Sequence, residues 1–314
     1  MPAAPSEPLL VAAQEAGARL DAFLAARLGV PRQEVRRLLA AGGVRLDGRR
    51  VGAAAKGWRL AAAARVEVEG FVPRAAQAPR PEPEAPLPVL AEGPGWVALD
   101  KPPGTALHPL APDETGTLLN ALVARRPEIL GVGEGGLRSG VVHRLDVDTS
   151  GAVLFATDEG TWRRLRHAFR THRVTKRYRA IVAGSPPAEG RAALTLALAS
   201  HRPARVRVAP PEEAGRAGAR VTRLSWRRLE GFGDAALLEV ALETGFLHQI
   251  RVSLAHLGHP ILGDRLYAPP EVAARAPRQL LHAARLSVQE IAVESPDPPD
   301  FAAALAALRA PTHA

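Results

Sequence analysis

Residues His143-Arg144-Leu145-Asp146-Val147-Asp148-Thr149-Ser150-Gly151 gather an imidazole, a guanidinium and two carboxylates in nine positions. Val141-Val142 precede them and Ala152-Val153-Leu154-Phe155-Ala156 follow. Short apolar runs bounded by polar residues and glycine read as buried strands. The segment is therefore expected to be a loop between core strands, where a rigid scaffold presents reactive groups. A second reading is open on this stretch alone: Asp146 and Thr149 make the local side-chain to backbone bonds of a tight turn.

Other charged residues bear on that choice. Residues 247–257 read as a helix whose stripe is Leu247, Ile250, Leu254 and Leu257. Arg251 falls beside the stripe, at the margin of the core, where an arginine wants a carboxylate partner. Between 163 and 179 stand eight basic residues and no acid, among them Arg170, Arg173 and Lys176, with Tyr178 inside the run. So many unbalanced charges suit a phosphate-binding surface better than a solvated face. His248, His256 and His259 do not make a metal site, because 248 and 256 project apart and no carboxylate pair completes a ligand set.

These groups need a scaffold, and 314 residues with 46% hydrophobic side chains can supply a large core or two domains. There is no cysteine, which excludes disulfides and zinc-thiolate sites. Net charge is +9, which favours a polyanionic partner. No apolar run reaches membrane-spanning length. Met1 to Gly17 lacks a basic start and carries Glu7 and Glu15, unlike a signal or transit peptide, so a cytoplasmic location is expected.

Along the chain, residues 1–12 read as a flexible tail and 13–72 as a small module. Within it, Leu20, Phe23, Leu24 and Leu28 mark one helix, and Val35, Leu38 and Leu39 a second ending at Gly42-Gly43. Asp47-Gly48 turns between short strands. From 13 to 70 there are eleven basic against six acidic side chains. Arg32, Arg36 and Arg37 share the second helix with Glu34 alone, and Arg45 lies near the turn. Residues 73–88 hold six prolines and read as a semi-stiff extended linker. From 89 to 314 many strands alternate with a few helices without a regular βαβ repeat. That pattern predicts an α+β fold, with a mixed, largely antiparallel central sheet and flanking helices. Thr117, Thr157 or Thr161, and Asp300 are candidate helix caps.

The module resembles the small RNA-binding module of ribosomal small-subunit protein four. It does so through Arg19-Leu20-Asp21-Ala22-Phe23-Leu24, Val35-Arg36-Arg37-Leu38-Leu39 and Gly43-Val44-Arg45-Leu46-Asp47-Gly48. It departs from that family at Pro31 and Asp47. Across 89–300 the chain resembles the RluA-type pseudouridine synthase family. The tracts, in order, are Lys101-Pro102-Pro103-Gly104 with His108-Pro109, His143 to Gly151, and Lys176-Arg177-Tyr178. Then come Thr244-Gly245 with His248-Gln249-Ile250-Arg251, Leu257 to Asp264, and Leu281-His282-Ala283. Departures fall at Phe246-Leu247, Ser253 and Gln289-Glu290.

The resemblance implies an enzyme that isomerises selected uridines in structured RNA without a metal or cofactor. Asp146 would be the catalytic carboxylate, attacking the sugar or acting as a base. Arg251 would be its counter-ion, since a nearby cation typically lowers a carboxyl pKa by about 1–3 units. Tyr178 would stack on the flipped base. Arg144, His143, Thr149, Arg170, Arg173 and Lys176 would hold the nucleotide, its loop or the RNA, and Arg32, Arg36, Arg37 and Arg45 would form the module's RNA surface. Large-subunit ribosomal RNA is expected over transfer RNA as partner, and a monomer is expected. The rival readings are a non-catalytic RNA-binding protein on the same fold and a hydrolase using the His and Asp residues.

Overall fold

The computed structural model describes residues 7–201, 204–216 and 218–310. The chain divides into two compact units, Met1–Ala78 and Pro79–Ala314.

In the first unit, α1 (Leu20–Leu28) and α2 (Arg32–Ala40) pack on four short strands. These are β1 (Leu9–Leu10), β2 (Val44–Leu46), β3 (Arg49–Val51) and β4 (Arg65–Val68), in the order β1-β4-β2-β3. Leu20, Phe23, Leu24, Val35 and Leu39 are buried together, as their helical spacing requires. The β2–β3 turn has Asp47 and Gly48 at φ 48° and 80°, the pair of left-handed residues a two-residue hairpin needs. Within the expected tail, 1–12, some residues are ordered into the unit. Leu9 and Leu10 pair with β4 and Val11 is buried, because an apolar triplet beside an open sheet edge adds to it. Residues 1–6 lie outside the described residues.

The tract expected as a linker, 73–88, also carries tertiary contacts. The Arg74 amide donates to Glu34 in the first unit. In the second unit, Asn120 donates to the Arg80 carbonyl, and Arg125 to the carbonyls of Pro83 and Ala85. Prolines leave carbonyls unpaired along an extended chain, and polar side chains of the second unit take them up.

The second unit is built on one large sheet. Its strands are β5 (Val89–Gly93), β6 (Trp96–Lys101), β7 (Ser150–Ala156), β8 (Thr175–Ala183), β9 (Glu189–His201), β10 (Ala204–Ala209), β11 (Ala219–Gly231), β12 (Ala235–Leu242), β13 (Leu281–Val288) and β14 (Ile291–Glu294). The order is β10-β9-β11-β12-β8-β13-β7-β6-β5, with β14 on β13. The β13–β7 pairing is parallel and the others are antiparallel, so the fold is α+β as expected. Helices α3 (Leu118–Arg125), α4 (Glu159–Arg170), α5 (Gln249–His256), α6 (Pro270–Ala273) and α7 (Pro299–Arg309) complete the unit.

Every residue of β7 is buried, which anchors the end of the reactive loop. Gly151 is required where β7 crosses β13: at φ 114° an added Cβ would lie 2.4 Å from the Ala283 carbonyl oxygen. Three local expectations change. Val141-Val142 is buried but forms only a bridge, Val141 to Phe155, so the loop enters from irregular chain. Asp158, not a threonine, caps α4, since its carboxylate reaches the Thr161 amide. Asp300 lies inside α7 and turns to Arg278 instead of capping. Thr117 does cap α3.

Candidate active site

The loop backbone is clamped from below. Lys101, at the end of β6, is fully buried. Its Nζ donates to the carbonyls of Pro102 at 2.8 Å, Thr105 at 2.8 Å and Val147 at 2.5 Å. Burial lowers its pKa to about 7, with Asp148 and Asp146 opposing. The three carbonyl acceptors match the three N–H of an ammonium, so the charged form is the one that fits. Arg278 holds the next residue, donating to the Asp148 carbonyl at 2.9 Å, and is itself fixed by Asp300 at 2.7 Å. The Thr149 amide closes the turn on the Asp146 carbonyl at 3.1 Å.

The side chain of Asp146 points at Arg251, whose Nη1 lies 3.1 Å from Oδ2. Arg251 sits on α5 and is 8% exposed, inside a run buried from Gln249 to Leu254. It is locked by fully buried Asp264, with Nε and Nη2 each 2.8 Å from one carboxylate oxygen. Burial works against the Arg251 charge, yet Asp264 and then Asp146 outweigh it and its pKa lies above the ordinary value. Asp264 also accepts the amides of Leu266 and Tyr267. A fork-to-fork pair of this kind fixes geometry as well as charge.

Asp146 opens into a cleft of about 820 Å³. Arg138, Arg144, Arg163, Arg166, Arg170, Arg220 and Lys176 line it, against the single carboxylate of Asp146. Tyr178, on β8, lines the same cleft and is 8% exposed. Burial, with Asp146 adding to it, raises its pKa, so the phenol is protonated at neutral pH. Phe246 and Leu247 supply an apolar wall.

The basic tract is not one surface. On β8 alternate residues face opposite ways, so Arg177 and Arg179 lie on the far side from Tyr178. There Arg177 meets Glu239 at 3.9 Å and Arg179 pairs with Asp297. On α4, Arg163 is bonded to Glu159, and Arg166 donates to the Val142 carbonyl. Arg170 lines the cleft beside His167, while exposed Arg173 is not among the lining residues. Lys176 is half-buried, donates to the Thr244 carbonyl at 3.1 Å and has its pKa lowered by burial to about 8.

His143 and Thr149, expected to hold the nucleotide or its loop, both have loop contacts. Thr149 is 1% exposed. His143 Nε2 accepts the Leu154 amide at 3.0 Å and its ring stacks on Phe169. Arg144, by contrast, is exposed in the cleft. Burial, with Lys176 and Arg166 adding, pushes the His143 pKa from 6.5 to about 3. Between those values only the unfolded chain takes up the proton. The stability this gives is complete above pH 6.5 and is lost as pH falls through about 3. His143→Gln keeps an acceptor but does not titrate. Denaturant unfolding from pH 7 to 3 should show a shallower loss of stability in the variant, by up to about one proton. Equal slopes would mean that His143 is charged in the fold.

In the first unit, Arg32 and Arg36 are not balanced by Glu34 alone. They converge with Arg19 on the buried carboxylate of Asp21, at 2.8, 3.8 and 3.1 Å. Three guanidiniums around one acid leave an excess positive charge whose arginines are about half exposed. Arg45 and Arg50 share Glu69, at 2.6 and 3.0 Å. Arg37 is exposed on α2. Among the described residues no group of three or more His, Cys, Asp or Glu could hold a metal ion, and no helix is long and apolar enough to cross a membrane.

Asp264, His248, Lys101 and Arg278 were not legible as parts of this site. Lys101 and Asp264 stand in the recognisable tracts, but their contacts are made by the fold. His248 has its Nε2 3.9 Å from Asp146.

A family model described as RNA pseudouridylate synthase matches residues 95–256, and an S4 domain model matches 18–56. The chain is 38% identical to an uncharacterized RNA pseudouridine synthase of Chloroflexus aurantiacus, over 86% of this chain and 81% of the relative. It is 36% identical to one of Mycobacterium bovis, covering 94% and 95%. It is 35% identical to ribosomal large subunit pseudouridine synthase D of Pseudomonas aeruginosa, covering 71% and 72%. The fold matches human RNA pseudouridylate synthase domain containing 4 with a TM-score of 0.57, at 23% identity, covering 71% of this chain and 93% of that one.

Proposed function

Starting from the fact that this chain belongs to the RNA pseudouridylate synthase family, with an S4 domain before the catalytic unit, we propose that it modifies uridines of large-subunit ribosomal RNA through Asp146. The observation that carries the site is Asp146 held on the Arg251–Asp264 pair in a cleft with seven Arg and Lys side chains and no second carboxylate in its lining.

In the reaction the bond from the ribose anomeric carbon to uracil N1 breaks and its electron pair leaves with the base. The uracil turns, its C5 bonds to the anomeric carbon, C5 gives up a proton and N1 gains one. Asp146 is the group placed to meet the sugar, as nucleophile or base. Arg251 Nη1, 3.1 Å from Oδ2, fixes the direction of that carboxylate. Tyr178 meets the uracil. Stacking on an aromatic ring contributes roughly 1–3 kcal/mol, on the scale of the few kcal/mol needed to flip a base. Only the part of its ring that opens into the cleft is free for this. Arg144 and Arg170 are placed for the flanking phosphates.

Support for ribosomal RNA comes from the relatives named ribosomal large subunit pseudouridine synthase D and from the basic S4 module. The protein would act in the cytoplasm as a monomer. The test is tritium release from RNA labelled at uracil C5, with ribosomal and transfer RNA offered separately and taken from cells lacking the protein. Release is expected from large-subunit RNA and to survive chelation. Release from transfer RNA alone would overturn the target, and binding without release from either would favour the non-catalytic RNA binder.

A further inference from the structure

Building on the synthase reading of Asp146, we propose that His248 is a positioning residue. Its tautomer is set by Tyr267, and it presents an N–H to the oxygen of Asp146 that Arg251 already holds, leaving the other oxygen for the ribose.

His248 occupies the position before α5 with φ 52°. A left-handed backbone is uncommon for a residue other than glycine and persists where the surroundings enforce it. The ring is held between two partners. Nδ1 lies 2.8 Å from the Tyr267 hydroxyl, and Nε2 lies 3.9 Å from Asp146 Oδ2. The Tyr267 hydroxyl already accepts the Val206 amide of β10 at 2.9 Å. Its own proton is free for Nδ1, and we take this 2.8 Å contact as the hydroxyl donating to the ring. An imidazole that accepts at Nδ1 carries its proton at Nε2, and the negative charge of Asp146 favours the proton on that side.

Burial lowers the His248 pKa, and Arg251 and Arg144 lower it further, against the pull of Asp146 and Asp264. The balance leaves a neutral ring, a donor that adds no charge. Arg251 Nη1 is also on Oδ2, at 3.1 Å. Among the described residues no hydrogen bond reaches Oδ1. The 3.9 Å gap is longer than a hydrogen bond, and contacts of this kind tighten when substrate fills a site. The Arg251 guanidinium lies 5.3 Å over the Tyr267 ring, so Tyr267 packs against both donors.

Nitrogen NMR of histidine-labelled full-length protein reads the tautomer directly. At pH 7 the wild type is expected to be neutral with the proton on Nε2, and Tyr267→Phe to move signal toward protonated Nδ1. A wild-type ring protonated at Nδ1, or at both nitrogens, overturns the proposal. Turnover adds a second readout. His248→Ala should lower kcat roughly 10- to 100-fold with KM for RNA held, the range expected for a lost hydrogen bond to a charged group. His248→Gln, whose amide N–H reaches the place of Nε2, should recover most of that loss. Failure of the glutamine to recover any activity while it melts like wild type also overturns the proposal. The NMR result does not depend on turnover, so a chain that formed no pseudouridine would defeat the synthase reading and still be judged on His248.

Discussion

Asp146→Asn is expected to abolish tritium release from uracil C5, by at least about 10⁴-fold, the order seen when a member of a catalytic unit is deleted. The amide is the same size as the carboxylate but is neither a nucleophile nor a base at neutral pH. The change should leave the fold intact. Arg251 keeps its two contacts to Asp264, at 2.8 Å each, and the turn is closed by the Asp146 backbone carbonyl, which the variant retains. RNA affinity should hold or rise, because the one carboxylate in a cation-lined cleft has been neutralised. Filter binding beside the release assay separates these effects. Residual release within tenfold of wild type would remove Asp146 from the chemistry. A wild type that binds and never releases tritium would identify a binder on the same fold.

Legibility in the sequence followed the range of the interactions involved. The loop 143–151 could be placed because apolar runs flank it, and the structure anchors it on fully buried β7. Arg251 could be placed only in part: the stripe reading put it at the core margin of a helix over 247–257, whereas α5 runs Gln249–His256 and is buried without a break from Gln249 to Leu254. Its two carboxylates could not be read that way. One lies 105 residues before it and the other 13 after it, and the fold alone brings them to the same guanidinium.

The same limit explains the charge tracts. Counting acids along the sequence left Arg32 and Arg36 unbalanced, whereas Asp21 on the neighbouring helix faces both. Strand alternation could have divided the 163–179 tract. With Tyr178 turned into the cleft, a period of two sends Arg177 and Arg179 to the other side. The loop clamps were the least legible. Lys101 and Arg278 act on backbone carbonyls, which carry no side-chain signature.

Replacing Arg251 should be costly to the fold as well as to turnover. In Arg251→Met, the fully buried carboxylate of Asp264 keeps only the amides of Leu266 and Tyr267. Removing one partner of a buried pair leaves an uncompensated charge, at a cost of about 3–5 kcal/mol. For a unit of this size that corresponds to a drop in Tm of roughly 6–20 °C. Adding Asp264→Asn sheds the stranded charge while its oxygen still accepts the two amides, so the double variant should regain most of the stability. Activity should not return with it. Neither variant supplies Asp146 with its cation, and each should turn over at least about 10²-fold more slowly, the scale set by losing one preorganised electrostatic contact. Melting curves of the three proteins, followed by the catalytic unit's transition, test the first part, and single-turnover rates test the second. A single variant as stable as wild type would mean that solvent or a proton reaches Asp264. Recovery of rate along with stability in the double variant would show that Arg251 acts only through folding.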